Sequence, residues 1–92
     1  MITYLDSHCH ITSDRLYARI DEILENCHAH QVGELLVICC QHEEYLRAMQ
    51  LKQQHPFIHV AYGFYPCDTS DLQESDWARL EEICRKHQVD VI

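Results

Sequence analysis

Short apolar runs alternate with stretches of helical periodicity along the whole chain, at intervals of about thirty residues, the length of a βαβ unit. The apolar runs at residues 2–6, 35–40, 57–62 and 89–92 predict four strands. Because such alternation favours right-handed crossovers, it predicts an α/β fold with a parallel sheet. We expect the strands in the order one to four, with the helices on one side.

Apolar side chains at helical spacing predict a helix between each pair of strands. The first helix is expected to begin at Ser13 or Asp14, which are good N-cap residues, and Gly33 follows its end. The second helix is expected at residues 43–54 and ends before Pro56. The three apolar stripes consist of Leu16, Ile20, Ile23, Leu24 and Cys27, then Tyr45, Leu46 and Met49, then Trp77, Leu80, Cys84 and His87.

Two architectures fit this order of elements. One is an open, doubly wound sheet, and the other is the opening of a (β/α)₈ barrel, which needs roughly 250 residues to close. An open sheet that ended in residues 89–92 would expose an unpaired apolar edge, which natural proteins usually avoid. We therefore expect residues 1–92 to be the N-terminal part of a TIM-barrel domain, with about three and a half βα units.

Charge and cysteine content limit the functions that this segment can perform alone. The formal net charge is −8 and the seven Lys and Arg are scattered, whereas a protein that grips nucleic acid normally shows a basic stripe. A bound metal or another part of the protein would have to supply positive charge. The uncharged apolar run at residues 35–42 is too short to cross a bilayer, and no signal-peptide pattern is present. No Cys-x-x-Cys pair occurs among the six cysteines, so neither a zinc ribbon nor a thioredoxin-like motif is expected. Because no secretory signal is seen, we expect reduced thiols and a cytoplasmic protein without a membrane partner.

His8 and His10 form the most informative local pattern. Side chains alternate between the two faces of a strand, so both imidazoles, and Asp6 before them, are expected to point the same way. Two imidazoles at the C-terminal end of a strand can chelate one metal ion, and this end is where active sites form in parallel α/β folds. His-x-His is a weak signal by itself, and its position at the end of the first strand strengthens it.

A second His-x-His pair, His28 and His30, serves as an internal control. It falls late in the first predicted helix, where residues two apart do not face each other. We therefore expect this pair to face solvent. Identical spacing thus predicts different roles in different secondary structure.

The segment after the third predicted strand, residues 63–66, reads Gly-Phe-Tyr-Pro. A glycine lets the backbone approach a ligand closely, and the Tyr65 phenol could donate a hydrogen bond. From these residues alone, an ordinary turn with a packed aromatic ring is the simpler interpretation. A polar loop is expected to follow at residues 66–75. The sequence contains no P-loop, and its two glycines cannot build a Gly-rich dinucleotide fingerprint.

Residues 5–11, Leu-Asp-Ser-His-Cys-His-Ile, resemble the opening signature of the TatD family, a branch of the amidohydrolase-like metal-dependent hydrolases. Residues 36–38 and 61–66 fall where that family has its second and third strands. The resemblance covers the whole chain and implies a TIM barrel with a metal centre at its C-terminal mouth.

The resemblance also implies roles for individual residues. His8 and His10 correspond to two metal ligands, and a complete site would hold two divalent cations, Mg²⁺, Mn²⁺ or Zn²⁺. A Glu ligand would follow the fourth strand, and further His and Asp ligands and an Asp base would come later still. The third motif of the family usually reads Gly-x-His-Pro. Tyr65 takes the place of that His, which marks Tyr65 as a substrate-binding residue and leaves the substrate preference open.

These implications lead to an expected function for the parent protein. It would hydrolyse a phosphodiester, with DNA ends as the first candidate substrate, by means of a metal-activated water. Asp6 does not bind the metal in this scheme, but it could orient one of the two imidazoles from outside the coordination sphere. Two alternatives stay open: hydrolysis of another ester or amide bond on the same scaffold, and a truncated fragment without catalytic function.

Overall fold

The computed structural model describes residues 2–86 and 88–92, so His87, predicted to extend the last apolar stripe, lies outside the described residues. The elements are β1 (Tyr4–Cys9), α1 (Asp14–Tyr17), α2 (Ile20–Ala29), β2 (Val32–Cys39), α3 (His42–Gln54), β3 (Ile58–Tyr62), a 3-10 helix (Pro66–Asp71) and α4 (Glu74–Arg85). Within the described ranges no helix has the length and apolar character needed to span a membrane.

The sheet is parallel and its three strands follow the chain order, β1-β2-β3. The predicted α/β fold with a parallel sheet in consecutive order is therefore confirmed for these strands. The fourth predicted strand, residues 89–92, is reduced to a single parallel bridge between Val91 and Ala61. It nevertheless begins where a fourth parallel strand beside β3 would begin.

One face of the sheet carries the hydrophobic core. Leu35, Val37 and Cys39 of β2 are buried together with Ile58 and Val60 of β3. The same cluster takes up side chains from three helices, namely Leu24 of α2, Tyr45, Ala48 and Leu51 of α3, and Ile83 of α4. The helices therefore pack on one side of the sheet, as expected for successive right-handed crossovers.

The other face of the sheet stays open. Glu34, Leu36 and Ile38 alternate with the buried residues of β2 and are exposed or half-buried. His59 lies on the same face of β3, where its Nε2 is 2.7 Å from Oε2 of Glu34. The side chains of this face are the ones that would line the interior of a closed barrel.

Several predicted boundaries were wrong. The first strand runs from Tyr4 to Cys9 rather than over residues 2–6, and β2 begins at Val32, three residues early. The first helix is split into α1 and α2, with Ser13 as the N-cap of α1. The polar loop at residues 66–75 contains a 3-10 helix and the first residues of α4. Short polar stretches like this one have local hydrogen bonds that hydrophobic periodicity does not reveal.

The position of Gly33 in the sequence suggested that it ends the first helix, but it does not. Helix α2 ends at Ala29, and Gln31 takes the left-handed conformation that usually favours glycine, with φ of 59°. Gly33 instead lies within β2, where an added Cβ would sit 3.5 Å from the Cβ of Thr3. A Cβ at that distance would be in ordinary van der Waals contact, so neither a helix stop nor close packing requires glycine at this position.

Helix α3 shows where apolar periodicity misjudged burial. Its predicted bounds are nearly correct, but the buried residues are Tyr45, Ala48 and Leu51, whereas Leu46 is exposed. Gln41 forms a capping box with Glu44, whose Oε1 accepts the amides of Cys40 and Gln41, both at 3.0 Å. The box fixes the turn that follows the C-terminal end of β2.

Candidate metal centre

His8 and His10 lie at the C-terminal end of β1, on the open face of the sheet. In the ladder, Asp6 pairs with Leu35 and Cys9 with Val37, so three residue steps on β1 match two on β2. This bulge places Cys9 on the core face, beside Val37. The two histidines flank Cys9 and therefore point to the opposite, open side.

The bulge corrects the expectation for Asp6. Because it breaks the alternation between Asp6 and His8, Asp6 does not share the face of the two imidazoles. Its Oδ1 instead accepts the backbone N–H of His8 at 3.0 Å. Asp6 thus fixes the backbone that carries the first imidazole, and within the described residues no hydrogen bond joins it to an imidazole ring.

The two imidazole rings converge. Nε2 of His8 and Nε2 of His10 are 3.1 Å apart, and the ring centroids are 5.0 Å apart at an interplanar angle of 71°. Two nitrogens 3.1 Å apart that each lay about 2.1 Å from one cation would subtend roughly 95° at it, an angle suited to cis ligands. The pair therefore fits one divalent metal ion.

The pair supplies only part of a coordination sphere. Over residues 2–86 and 88–92 no group of three or more His, Cys, Asp or Glu side chains is arranged to hold a metal ion. A catalytic zinc site typically uses three protein ligands and keeps a position open for water. Further ligands for such a site would have to come from outside the described residues.

Cys9, between the two histidines, does not belong to the metal-binding set. Its Sγ donates to the Leu36 carbonyl at 3.4 Å. Burial, and secondarily the negative charge of Asp6, raise the pKa of the Cys9 thiol to about 11. The thiol is therefore protonated at neutral pH, and Cys9 packs against the hydrophobic core on the face opposite the imidazoles. All six cysteines are unpaired, as expected.

The turn after His10 is tightly held. The Ser13 N–H donates to the His10 carbonyl at 3.1 Å, and both Ile11 and Thr12 within the turn are buried. Nη1 of Arg47, on α3, donates to the Thr12 carbonyl at 3.1 Å across 35 positions of sequence. Arg47 could not be predicted from the sequence, because its spacing of four from Glu43 indicates only an exposed helical pair.

Tyr65 lies just after β3, at the same edge of the sheet as the histidines. It is 54% exposed and borders an apolar hollow of about 290 Å³ together with Ile38, Ala61 and Val91. No hydrogen bond or ring contact joins Tyr65 to His8 or His10 in the described part of the chain, because β2 lies between β1 and β3. A Cβ added at Gly63 would meet no atom within 4 Å, so space for a ligand is open there.

A second hollow on the other side of Tyr65 is acidic. It is bordered by Asp68, Asp71 and Asp76, and by His42 at the start of α3. Burial lowers the pKa of His42, so its imidazole does not offset this charge at neutral pH. A phosphate group would be repelled here unless a cation screened the carboxylates.

The control pair, His28 near the end of α2 and His30 directly after it, shows no such convergence. The His30 Nδ1 lies 2.9 Å from the Asn26 carbonyl, and the His28 ring packs against Phe57 with centroids 5.1 Å apart. Both histidines are exposed, as expected. The secondary structure, rather than the spacing, separates the two His-x-His pairs.

The family model described as TatD related DNase matches residues 5–92. The chain belongs to this family. It is also 28% identical over 84 residues to the Uncharacterized metal-dependent hydrolase YabD of Bacillus subtilis (strain 168). That match covers 91% of the chain and 33% of the relative, so the TatD-family chain spans about a third of the length of its curated relative.

Proposed function

We propose that the protein carrying this chain is a divalent-metal-dependent hydrolase of phosphodiesters, with DNA ends as its substrate. The observation that carries the proposal is the convergence of the His8 and His10 Nε2 atoms, 3.1 Å apart at the C-terminal end of a parallel strand. Membership of the TatD family and the printed name of the Bacillus relative support metal-dependent hydrolysis. The consecutive parallel strands support a chain that forms the first part of a (β/α)₈ barrel.

Each residue of the site has a distinct part in this proposal. His8 and His10 bind one Mg²⁺, Mn²⁺ or Zn²⁺ ion through Nε2, and Asp6 fixes the His8 backbone. The bound cation supplies Lewis acidity and a water of lowered pKa. Tyr65, exposed at the same edge of the sheet, donates a hydrogen bond from its hydroxyl to the substrate. A complete site would hold two ions, with ligands from other parts of the protein.

The charge of the chain favours a second candidate, hydrolysis of another ester or amide bond at the same centre. The net charge of −8 and the acidic hollow beside Tyr65 both disfavour a long polyanion unless cations intervene. The apolar hollow on the other side of Tyr65 would accept a small uncharged group. Substrate panels should therefore include small esters beside DNA.

The test is metal-dependent hydrolysis by the full-length protein. Wild type, a His8→Ala/His10→Ala variant and a His28→Ala/His30→Ala variant are stripped of metal, reloaded with Mg²⁺, Mn²⁺ or Zn²⁺ in turn, and assayed. Substrates are single-stranded DNA, duplex DNA, small phosphodiesters and small carboxylic esters. The expected result is a loss of at least 10²-fold on removal of the first pair and no change on removal of the second, because only the first pair converges.

Three outcomes have different meanings. Equal loss in both variants would contradict the metal centre, since the helix pair has the same composition and spacing. Activity on small esters but not on DNA would favour the second candidate. Wild-type activity that persists without added metal and in the presence of chelator would refute metal-dependent hydrolysis by this pair.

A further inference from the structure

Arg47 links three separate parts of the structure through one guanidinium group. Besides the Thr12 carbonyl, Nη1 donates to Oδ1 of Asp14 at 2.7 Å, and Nη2 donates to Oε1 of Glu43 at 3.0 Å. The guanidinium carbon also lies 5.0 Å from the centre of the Tyr17 ring. The group therefore joins the turn after β1 to α1 and α3.

These contacts differ in energetic weight. The side chains of Asp14 and Glu43 are 87% and 70% exposed, so their ion pairs with Arg47 are screened by water and individually weak. Thr12, by contrast, is fully buried. A buried backbone carbonyl needs a donor, and the Arg47 guanidinium provides it. The contact with Thr12 is therefore the one whose loss would leave the carbonyl of a buried residue without its donor.

The Thr12 contact bears directly on His10. Strand β1 ends at Cys9, so no strand pairing holds His10 itself. The turn closed by the Ser13 N–H and the His10 carbonyl fixes its backbone, and Thr12 lies within that turn. The direction of the His10 imidazole therefore depends on where Arg47 holds the turn.

We propose that Arg47 is a positioning residue for the metal centre: it holds the turn at Thr12 so that the His10 Nε2 converges with that of His8. This inference rests on the proposed function. Loss of a hydrogen bond that orients a metal ligand from outside the coordination sphere typically weakens metal affinity by about 10- to 100-fold. Arg47 would act at the backbone of the second ligand, as Asp6 does at the backbone of the first.

The test measures metal affinity in the full-length protein, independently of catalysis. Arg47→Met keeps the length of the side chain and removes its charge and donors, and Arg47→Lys keeps the charge but loses the planar fork. Arg85→Met is the matched control, because Arg85 also pairs with a glutamate four residues earlier, Glu81, far from the turn. Dissociation constants for Zn²⁺ and Mn²⁺ are obtained by chelator competition at a temperature where circular dichroism shows each variant to be folded.

We expect Arg47→Met to weaken metal binding about 10-fold or more, Arg47→Lys to weaken it less, and Arg85→Met to leave it unchanged. The direction of the change in metal affinity is informative. Removal of a positive charge would by Coulomb's law strengthen the binding of a cation, so weaker binding reflects displaced ligands. The visible absorption spectrum of the Co²⁺-loaded protein should change in Arg47→Met and not in Arg85→Met.

Wild-type affinity in a folded Arg47→Met variant would overturn the proposal. If that variant does not fold, Arg47→Lys decides: weaker binding supports the proposal and wild-type affinity overturns it. A His10→Ala variant separates this inference from the proposed function. Metal binding that is insensitive to both His10→Ala and Arg47→Met overturns both, whereas binding that is lost in His10→Ala but unchanged in Arg47→Met overturns only the role of Arg47.

Discussion

At the scale of single residues, backbone hydrogen bonds hold the chain before and after the two imidazoles. Asp6 accepts the His8 amide before the pair, and Arg47 donates to the Thr12 carbonyl after it. Neither residue touches an imidazole by a hydrogen bond in the described part of the chain. The backbone path on either side of the pair therefore sets the convergence of the rings, whose Nε2 atoms lie 3.1 Å apart.

Tyr65 leads to a prediction at this scale. Tyr65→Phe and Tyr65→His should change substrate preference, with kcat/KM for one class of substrate altered by about 10-fold, because the proposed function gives the Tyr65 hydroxyl one hydrogen bond to the substrate. Stability should change by less than about 0.5 kcal/mol, since the side chain is 54% exposed. The measurement is kcat/KM on DNA and on small phosphodiesters, with thermal unfolding alongside.

Tyr4→Phe is the control for Tyr65, because Tyr4 is a similarly exposed tyrosine on β1. If both Tyr65 variants retained the wild-type profile across all substrates, Tyr65 would be a packing residue only. The comparison of Phe with His distinguishes loss of the hydroxyl from gain of a basic group.

At the scale of elements, the start of the fourth strand is held by Asp90. Its Oδ2 accepts the Val60 amide at 2.8 Å and the Lys52 ammonium at 2.6 Å. In return the Asp90 amide donates to the Val60 carbonyl at 2.8 Å. These contacts set the position at which the Val91 bridge forms beside β3.

We predict that Asp90→Ala destabilises the full-length protein by about 1–2 kcal/mol, because a partly buried amide and an ammonium lose a charged acceptor. Burial by itself would raise the pKa of Asp90, but Lys52 and the Val60 amide outweigh it and lower the pKa below its ordinary value. The stabilisation is thus fully present above the unfolded pKa and is lost as the pH falls through the lowered folded value.

Urea denaturation at neutral pH and at a pH of about 2 measures this effect. The difference between wild type and Asp90→Ala should shrink at the acidic pH, and the control Asp71→Ala, on the exposed 3-10 helix, should show no such difference. A pH-independent difference would show that the lost packing, rather than the charge, matters at Asp90.

At the scale of the whole molecule, the described chain has one covered and one open sheet face. Leu36 and Ile38 are only half-buried on the open face, and large apolar side chains are exposed at both lateral edges. These are Ile2, Tyr4, Leu5, Val91 and Ile92. Exposed apolar surface beside unpaired strand edges favours self-association.

The corresponding prediction is that residues 1–92, expressed alone, are poorly stable, self-associate and show no hydrolase activity. Two imidazoles leave most of the coordination sphere of a metal ion to water, and the open face exposes apolar surface. Sedimentation, thermal unfolding and metal-dependent nuclease assays measure these properties, with a His8→Ala/His10→Ala version as the blank. A soluble monomer that melts cooperatively and turns over substrate well above this blank would contradict both parts.

The sequence by itself determined the parallel α/β order and the place of the His8–His10 pair at the end of the first strand. Those features follow from periodicity and local chain chemistry, which short windows of sequence contain. Only the tertiary structure decided the bulge that turns Asp6 away from the imidazoles, the left-handed Gln31, and the Arg47 contact with Thr12. The bulge and the Arg47 contact depend on strand register and on residues distant in sequence that packing brings together. The left-handed conformation of Gln31 depends on where α2 must end for the chain to enter β2.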